Sequence, residues 1–380
     1  MKILVLYHYP PCPSGLATQG QLLHQGLEEI GVSVHAAHYE SQQEKEWYYR
    51  WFRPDVVVGV GYWGHVPQLV LHPQRYGLRP VPWLVADGYL ADYQDVLDSL
   101  PLILVTSRWV RSVYARDGLT GKNIEVLPVG CDTDRFIPRD RSDPKVAAVR
   151  EALGVGPDQI MILTVGGDAT SKGAQEVMQA LALIDGKVPD WKYVCKVWPQ
   201  ARTRQQNALD LELAAQLGID KNVIYATHIT SRDFVPYLLA ACDIYAAPSR
   251  LEGFGMLQVE ANACGKPVIG ISAMGLLDTM VHGETAFLAG IAQEIRQEET
   301  VIGAESDGGA GRRVVFQSPR VVDYRASVDD IARYLMSLMQ NAELRQRMGQ
   351  AGRKRAVENY QYRAVAGQFA KMVAEKLGIS

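Results

Sequence analysis

Short unbroken apolar runs alternate with amphipathic stretches along most of the chain. Ile3 to Tyr7 is the first such run, of the kind found in a strand covered on both faces of a parallel sheet. It meets Pro10-Pro-Cys-Pro-Ser-Gly15, too rich in proline and glycine for a strand to continue. Leu23, Leu27 and Ile30 then recur at helical spacing with Gly31 as a stop, and Val32 to Tyr39 predicts the next strand. The same grammar returns at Asp55 to Val60, Val81 to Ala86, Leu102 to Thr106 and Ile124 to Leu127. Strand, helix, strand at this spacing predicts a parallel sheet with helices on both faces.

Between Asp132 and Gly156 the pattern lapses into charged and turn-forming residues, Asp140-Arg-Ser-Asp-Pro144 among them, and reads as an interdomain link. It restarts at Ile160 to Val165, followed by a glycine-rich turn and a helix, with further strands expected at Lys192 to Val197, Val223 to Tyr225, Asp243 to Ala247 and Pro267 to Ile271. Gly290 to Val322 breaks the rhythm: it is charged, holds Asp307-Gly-Gly-Ala-Gly311 and is long for a loop in a compact domain. Asp329 to Leu377 is strongly helical. The fold class expected is α/β, with two Rossmann-like doubly wound domains in series. The first spans 1–150 and the second 151–355, and a C-terminal helix at 356–380 packs back toward the first.

Composition adds bounds. At 380 residues, 47% apolar and 21% charged, the chain is globular and too long for one ordinary domain. A net charge of −3 gives no reason to expect nucleic acid as a partner. Cys12, Cys131, Cys195, Cys242 and Cys264 form no C-x-x-C pair, which points to a reducing compartment, buried thiols and no metal site built on them. The apolar run at Met1 is too short for a signal peptide, and no stretch approaches the roughly 20 apolar residues of a membrane span. A cytoplasmic protein is expected. Trp47-Tyr-Tyr-Arg-Trp-Phe52 leaves peripheral membrane contact open, although a half-buried helix is the first reading. Nothing fixes the oligomeric state.

The chemistry concentrates in Pro248-Ser-Arg-Leu-Glu-Gly-Phe-Gly-Met-Leu-Gln-Val-Glu260. This segment follows a strand, at the edge where open α/β sheets bind ligands. Gly253 and Gly255 let backbone approach a ligand, and the helix expected to start near Gly255 offers free N–H groups to an anion. Glu252 precedes that helix and Glu260 lies more than a turn inside it. Carboxylates accept hydrogen bonds from hydroxyls, which suits a sugar and a ribose.

Glu252 and Glu260 form an E-x7-E pair between Pro-Ser and Gly-Lys-Pro-Val. This resembles the signature of the family-4 retaining glycosyltransferases of the GT-B fold, two Rossmann-like domains facing across a cleft. The resemblance implies a metal-independent hexosyltransferase whose donor is a UDP- or GDP-sugar, with no separate cofactor and with a hydroxyl-bearing acceptor. It implies that Glu260 holds the donor ribose, that Glu252 contacts the hexose, and that backbone around Phe254, Gly255, Met256 and Leu257 meets the diphosphate. Val165-Gly-Gly-Asp-Ala-Thr-Ser-Lys-Gly173 resembles the family turn in which Arg and Lys neutralise the diphosphate. Gly166 and Lys172 match it, but Gly167 stands where the Arg is expected. Lys196, on the next strand, is read either as the missing charge or as an ordinary surface residue. Asp243 to Ser249 and Met274-Gly-Leu-Leu-Asp-Thr-Met-Val-His-Gly283 also match family segments, the latter with Asp278 in place of Glu. In the first half, Pro13-Ser-Gly-Leu-Ala17 resembles the family's glycine-rich loop, which implies that Gly15 faces the donor. Asp87 occupies the place of a family His near the sugar, as either a hydroxyl acceptor or a turn residue before Gly88.

Rival readings have their own residues. Gly59-Val-Gly-Tyr-Trp-Gly64 is a literal G-x-G-x-x-G after a strand, which brings a nicotinamide-dependent oxidoreductase into consideration. Cys131-Asp-Thr-Asp134 has the D-x-D spacing of metal-dependent transferases but falls in a turn, and is read as structural. No Walker A loop occurs. A scaffold that binds a nucleotide-sugar without transferring it is the remaining alternative, favoured by Gly167 and opposed by Glu252, Glu260 and Lys172.

Overall fold

The computed structural model describes residues 1–303 and 311–379. Contacts divide the chain into two compact units, the first made of Met1–Gly130, Glu294–Asp323 and Tyr362–Ser380, the second of Cys131–Gln293 and Tyr324–Gln361.

In the first unit, β1 (Lys2–Tyr7), β2 (Ser33–His38), β3 (Val56–Tyr62), β4 (Pro80–Val85), β5 (Ile103–Val105) and β6 (Ile124–Val126) form one parallel sheet in the order β2-β1-β3-β4-β5-β6. Ile3 to Leu6 have no solvent exposure, as the unbroken apolar run of β1 requires for an inner strand with helices on both faces. The helix Gly15–Glu29 starts where Ser14 accepts a hydrogen bond from the Ala17 N–H, which frees the chain from the proline-rich turn. The C-terminal helix Tyr362–Leu377 lies against it. A methyl group at Gly26 would sit 2.8 Å from the Ala366 Cβ, and Tyr362 donates to Glu29 at 2.7 Å.

The second unit repeats the plan with β7 (Ile160–Val165), β8 (Trp191–Val197), β9 (Val223–Thr227), β10 (Ile244–Ala246), β11 (Val268–Ile271) and β12 (Ala286–Ala289), ordered β12-β11-β10-β7-β8-β9 and parallel. The chain runs from β7 outward to β8 and β9, then returns to the other side of β7 as β10. Strand order therefore reverses between β7 and β10, and that point sets the place for a ligand.

One expectation needs correction. The charged stretch 132–156 is no link: it folds into the second unit, so the division falls after Gly130 rather than at residue 150. Its helix, Pro144–Ala152, carries Arg150, which donates to Asp243 and to the carbonyls of Ala241, Gly156 and Gln159. Arg141 donates to the same carboxylate. Charges that resemble a solvated linker in sequence are thus satisfied inside a fold.

The segment 290–322, which breaks the alternation and is too long for an ordinary loop, has regular structure. It is a two-stranded ribbon of β13 (Ile291–Ile302) and β14 (Arg312–Ala326). Of the tract Asp307 to Gly311, all but Gly311 lies outside the described residues. The ribbon packs on the first unit: Phe316 meets Tyr89 with ring centroids 5.1 Å apart, Tyr89 and Thr300 share a hydrogen bond of 3.0 Å, and Arg320 pairs with Asp117 at 2.9 Å. Only Thr300 in β13 and Arg320 and Ala326 in β14 are buried, which hides both strands from a search for apolar alternation.

Candidate active site

The loops after β7 and β10 flank the reversal in strand order. After β7, Gly166 donates its N–H to the Lys196 carbonyl at 3.0 Å. A Cβ there would come within 2.6 Å of the Asp168 carbonyl oxygen and 2.9 Å of the Lys172 Cγ, so the turn needs glycine. At Gly167 a Cβ would approach the Trp198 ring to 3.2 Å. The place of the expected Arg is thus lined by an indole. The short helical turn Thr170–Lys172 follows, closed by Gly173 at φ +82°. A Cβ on Gly173 would lie 2.4 Å from the Pro248 carbonyl oxygen, and the Arg250 N–H donates to the Ser171 carbonyl at 2.9 Å. Bare backbone at 173 lets the two loops meet.

That contact brings two of the expected residues together. Lys172 Nζ donates to Glu252 Oε2 at 2.7 Å, and the Gly255 N–H donates to Glu252 Oε1 at 3.1 Å. Burial by itself raises the Glu252 pKa; the Lys172 ammonium and the N–H groups of Gly255 and Phe254 outweigh it and hold the carboxyl below its ordinary 4.5. A depressed carboxyl stabilises the fold above its unfolded pKa and loses that contribution as pH falls through the folded value. The stability gap between the wild type and Glu252→Gln should therefore be constant near neutrality and shrink below about pH 4.5. Urea unfolding of both proteins across pH 3–7 checks this; a gap independent of pH contradicts it.

The helix Met256–Ala263 opens at Gly255, φ +91°, with no side-chain cap. Phe254 anchors the turn, its ring 5.6 Å edge-on to Tyr360 and its carbonyl accepting from Thr279 at 3.1 Å. The Gly255 N–H is committed to Glu252, so Met256 and Leu257 lead the uncapped helix end. Glu260 sits one turn in, its side chain 2% exposed and held by Arg232 through both carboxylate oxygens, one contact at 3.1 Å. Lys196 is buried on β8, its side chain without a hydrogen bond or ion pair among the described residues, and burial lowers its ammonium pKa. It is neither a surface residue nor bonded to the Lys172–Glu252 pair. Gly15 and Asp87 belong to the first unit, each exposed at the carboxyl end of its sheet, after β1 and β4 respectively.

Several residues that hold this geometry carry no signal in the sequence. Arg250 donates to Gln175 at 2.8 Å and to Glu176 at 3.0 Å. Asp210, fully buried, accepts from Thr170 at 2.9 Å, Gln175 at 2.7 Å and Tyr225 at 2.7 Å. These bonds bind the Lys172 turn and the Glu252 loop into one network. Arg232 was also missed, because nothing in Ser231-Arg-Asp marks it as the partner of a residue 28 positions away.

The rival motifs have structural roles. Leu69 fills the space beside Gly59, where a Cβ would sit 2.6 Å from its Cβ, and the His65 ring crowds Gly61 at 2.6 Å. Those glycines admit side chains of the following segment rather than a pyrophosphate. Asp132 accepts from the Asp134 and Arg135 N–H groups and closes a turn. Four cysteines are buried and Cys12 is exposed, all of them free. Tyr49 is buried in the helix Gln42–Trp51, while Trp47 and Trp51 are exposed. No helix among the described residues is long and apolar enough to cross a membrane.

Two parallel six-stranded Rossmann-like units, with the glycine-rich turn and the E-x7-E loop at the second unit's switch point, define a GT-B glycosyltransferase fold. Solved structures agree: Anabaena HepE in complex with UDP and glucose superposes with a TM-score of 0.73 at 16% identity, over 99% of this chain and 100% of that one. Sucrose-phosphate synthase from Thermosynechococcus elongatus gives 0.75 at 16% identity, over the whole of both chains. Residues 146–318 match the family model of the Glycosyl transferases group 1. Among curated relatives, a GDP-mannose-dependent alpha-(1-6)-phosphatidylinositol monomannoside mannosyltransferase from Mycolicibacterium smegmatis is 27% identical over 72% of this chain and 62% of its own length. A D-inositol 3-phosphate glycosyltransferase from Mycobacterium sp. (strain KMS) is 31% identical over 56% of this chain and 45% of its own. The chain thus spans less than two thirds of either relative.

Proposed function

We propose that this chain is a retaining glycosyltransferase that moves a hexose from a UDP- or GDP-sugar to a hydroxyl of a sugar or polyol acceptor, without a metal ion. The observation that carries the reading is the Lys172–Glu252 contact of 2.7 Å beside the uncapped helix end at Met256. A cation, a hydroxyl acceptor and free N–H groups then lie together at a switch point, the set of groups a sugar diphosphate requires.

In this reading the diphosphate is held by Lys172, with Lys196 behind it and the N–H groups of Met256 and Leu257 in front. Glu252 orients the hexose and Glu260 the ribose. Gly166 and Gly167 bring backbone close to the phosphates, and Gly15 and Asp87 serve the sugar from the first unit. The anomeric C–O bond breaks and its electron pair goes to the β-phosphate oxygen. The acceptor oxygen bonds to the anomeric carbon on the same face, and its proton passes to that departing phosphate oxygen. Donors fixed before charge develops on the leaving group act on the transition state rather than on binding alone.

The test is turnover. The purified chain, offered radiolabelled UDP-glucose and GDP-mannose with a panel of sugars and inositol phosphates, should release nucleoside diphosphate and form an α-linked product. Donor binding with neither hydrolysis nor transfer supports a scaffold instead. A β-linked product removes retention.

A further inference from the structure

We infer that Arg232 is a donor-binding residue, supplying beside Glu260 the phosphate-neutralising charge that Gly167 lacks. The inference rests on the transferase reading above and assigns a residue to the same site.

Arg232 lies between β9 and the helix Val235–Ala241. Its guanidinium donates to both carboxylate oxygens of Glu260 and lies 4.8 Å from the centroid of the Phe136 ring. The pair is asymmetric: the Glu260 side chain is 2% exposed and that of Arg232 is 32% exposed. The arginine is the more exposed member of the pair. A guanidinium has five N–H donors in a planar fork. Glu260 and Phe136 fix the plane while leaving part of the fork open, and such a fork suits phosphate oxygens.

Helix geometry sets the distance. Glu260 is four residues beyond Met256, a rise of about 6 Å at 1.5 Å per residue. Its Cβ tilts back toward the helix start. Carboxylate and guanidinium therefore lie about one turn from the uncapped N–H groups, on a helix whose positive end favours anions. The two glutamates of the E-x7-E pair share one arrangement. Glu252 holds Lys172 and Glu260 holds Arg232, the first pair before the helix start and the second about one turn inside the helix. Each glutamate then has two tasks: it accepts sugar hydroxyls and keeps a cation in place for phosphate.

Full-length wild type, Arg232→Ala, Arg232→Gln and Arg232→Lys are titrated by NMR with UDP and GDP, and with uridine and guanosine. Removing the charge should weaken the diphosphates by about 10- to 100-fold, with the nucleosides changed by less than about twofold. Lys should recover part of the loss, as a point charge without the fork. Equal losses for nucleoside and diphosphate would make Arg232 a mere support for Glu260 and overturn the inference, as would no loss for either. Wild type that binds neither UDP nor GDP overturns the transferase reading itself, and this assignment with it. Agreement between the Ala and Gln variants guards against a folding defect in one of them.

Discussion

Replacing Lys172 by Ala should slow the chemical step on the order of 100-fold, about 3 kcal/mol of transition-state stabilisation. The expectation follows from where the ammonium sits. It is held at 2.7 Å by Glu252 on a turn that Asp210, through Thr170, and the Arg250 backbone both brace. A cation fixed in advance needs no reorganisation as negative charge grows on the leaving phosphate. The loss should appear in kcat more than in KM, since charge on the phosphate increases during bond breaking. Lys172→Ala also strands Glu252 without its ion pair, so the double variant with Glu252→Gln separates the two effects. Turnover by Lys172→Ala within twofold of wild type would remove Lys172 from the mechanism.

Asp243→Ala should destabilise the second unit by about 3–5 kcal/mol. Asp243 accepts from the Met161 N–H at 2.7 Å, from Arg150 at 3.3 Å and from Arg141. Its side chain is 10% exposed and that of Arg150 5%, so truncation leaves a buried guanidinium without its counter-charge. The consequence is larger than for a surface pair, because solvent cannot replace the partner. Denaturant unfolding should show the midpoint moving while the slope stays constant. A loss under 1 kcal/mol would mean that the carbonyls of Ala241, Gly156 and Gln159 alone satisfy Arg150.

How legible this was in sequence depends on the length of the interaction involved. Strands with unbroken apolar runs, such as Ile3 to Tyr7 and Ile160 to Leu163, announce themselves because a strand covered on both faces has few polar positions to spare. Pro248 to Glu260 is readable for a related reason: glycine, carboxylates and a helix start fall within thirteen consecutive positions. What failed were features fixed by distant partners. Arg150 and Arg141 look like linker charges until Asp243, about a hundred residues on, is placed beside them. The ribbon of β13 and β14 shows no alternation, since the side chains that pack, half-buried Phe316 and buried Arg320 among them, answer to residues of the first unit. Arg232 belongs with these. Its role depends on Glu260, and only folding sets one against the other.

The claim that matters most is the location of the nucleotide. Hydrogen exchange of the full chain with and without saturating UDP or GDP tests it directly. Added protection should fall on residues 165–173 and 252–260, the two loops at the reversal between β7 and β10. Protection at 59–64 instead, or none with either nucleotide, would contradict the account.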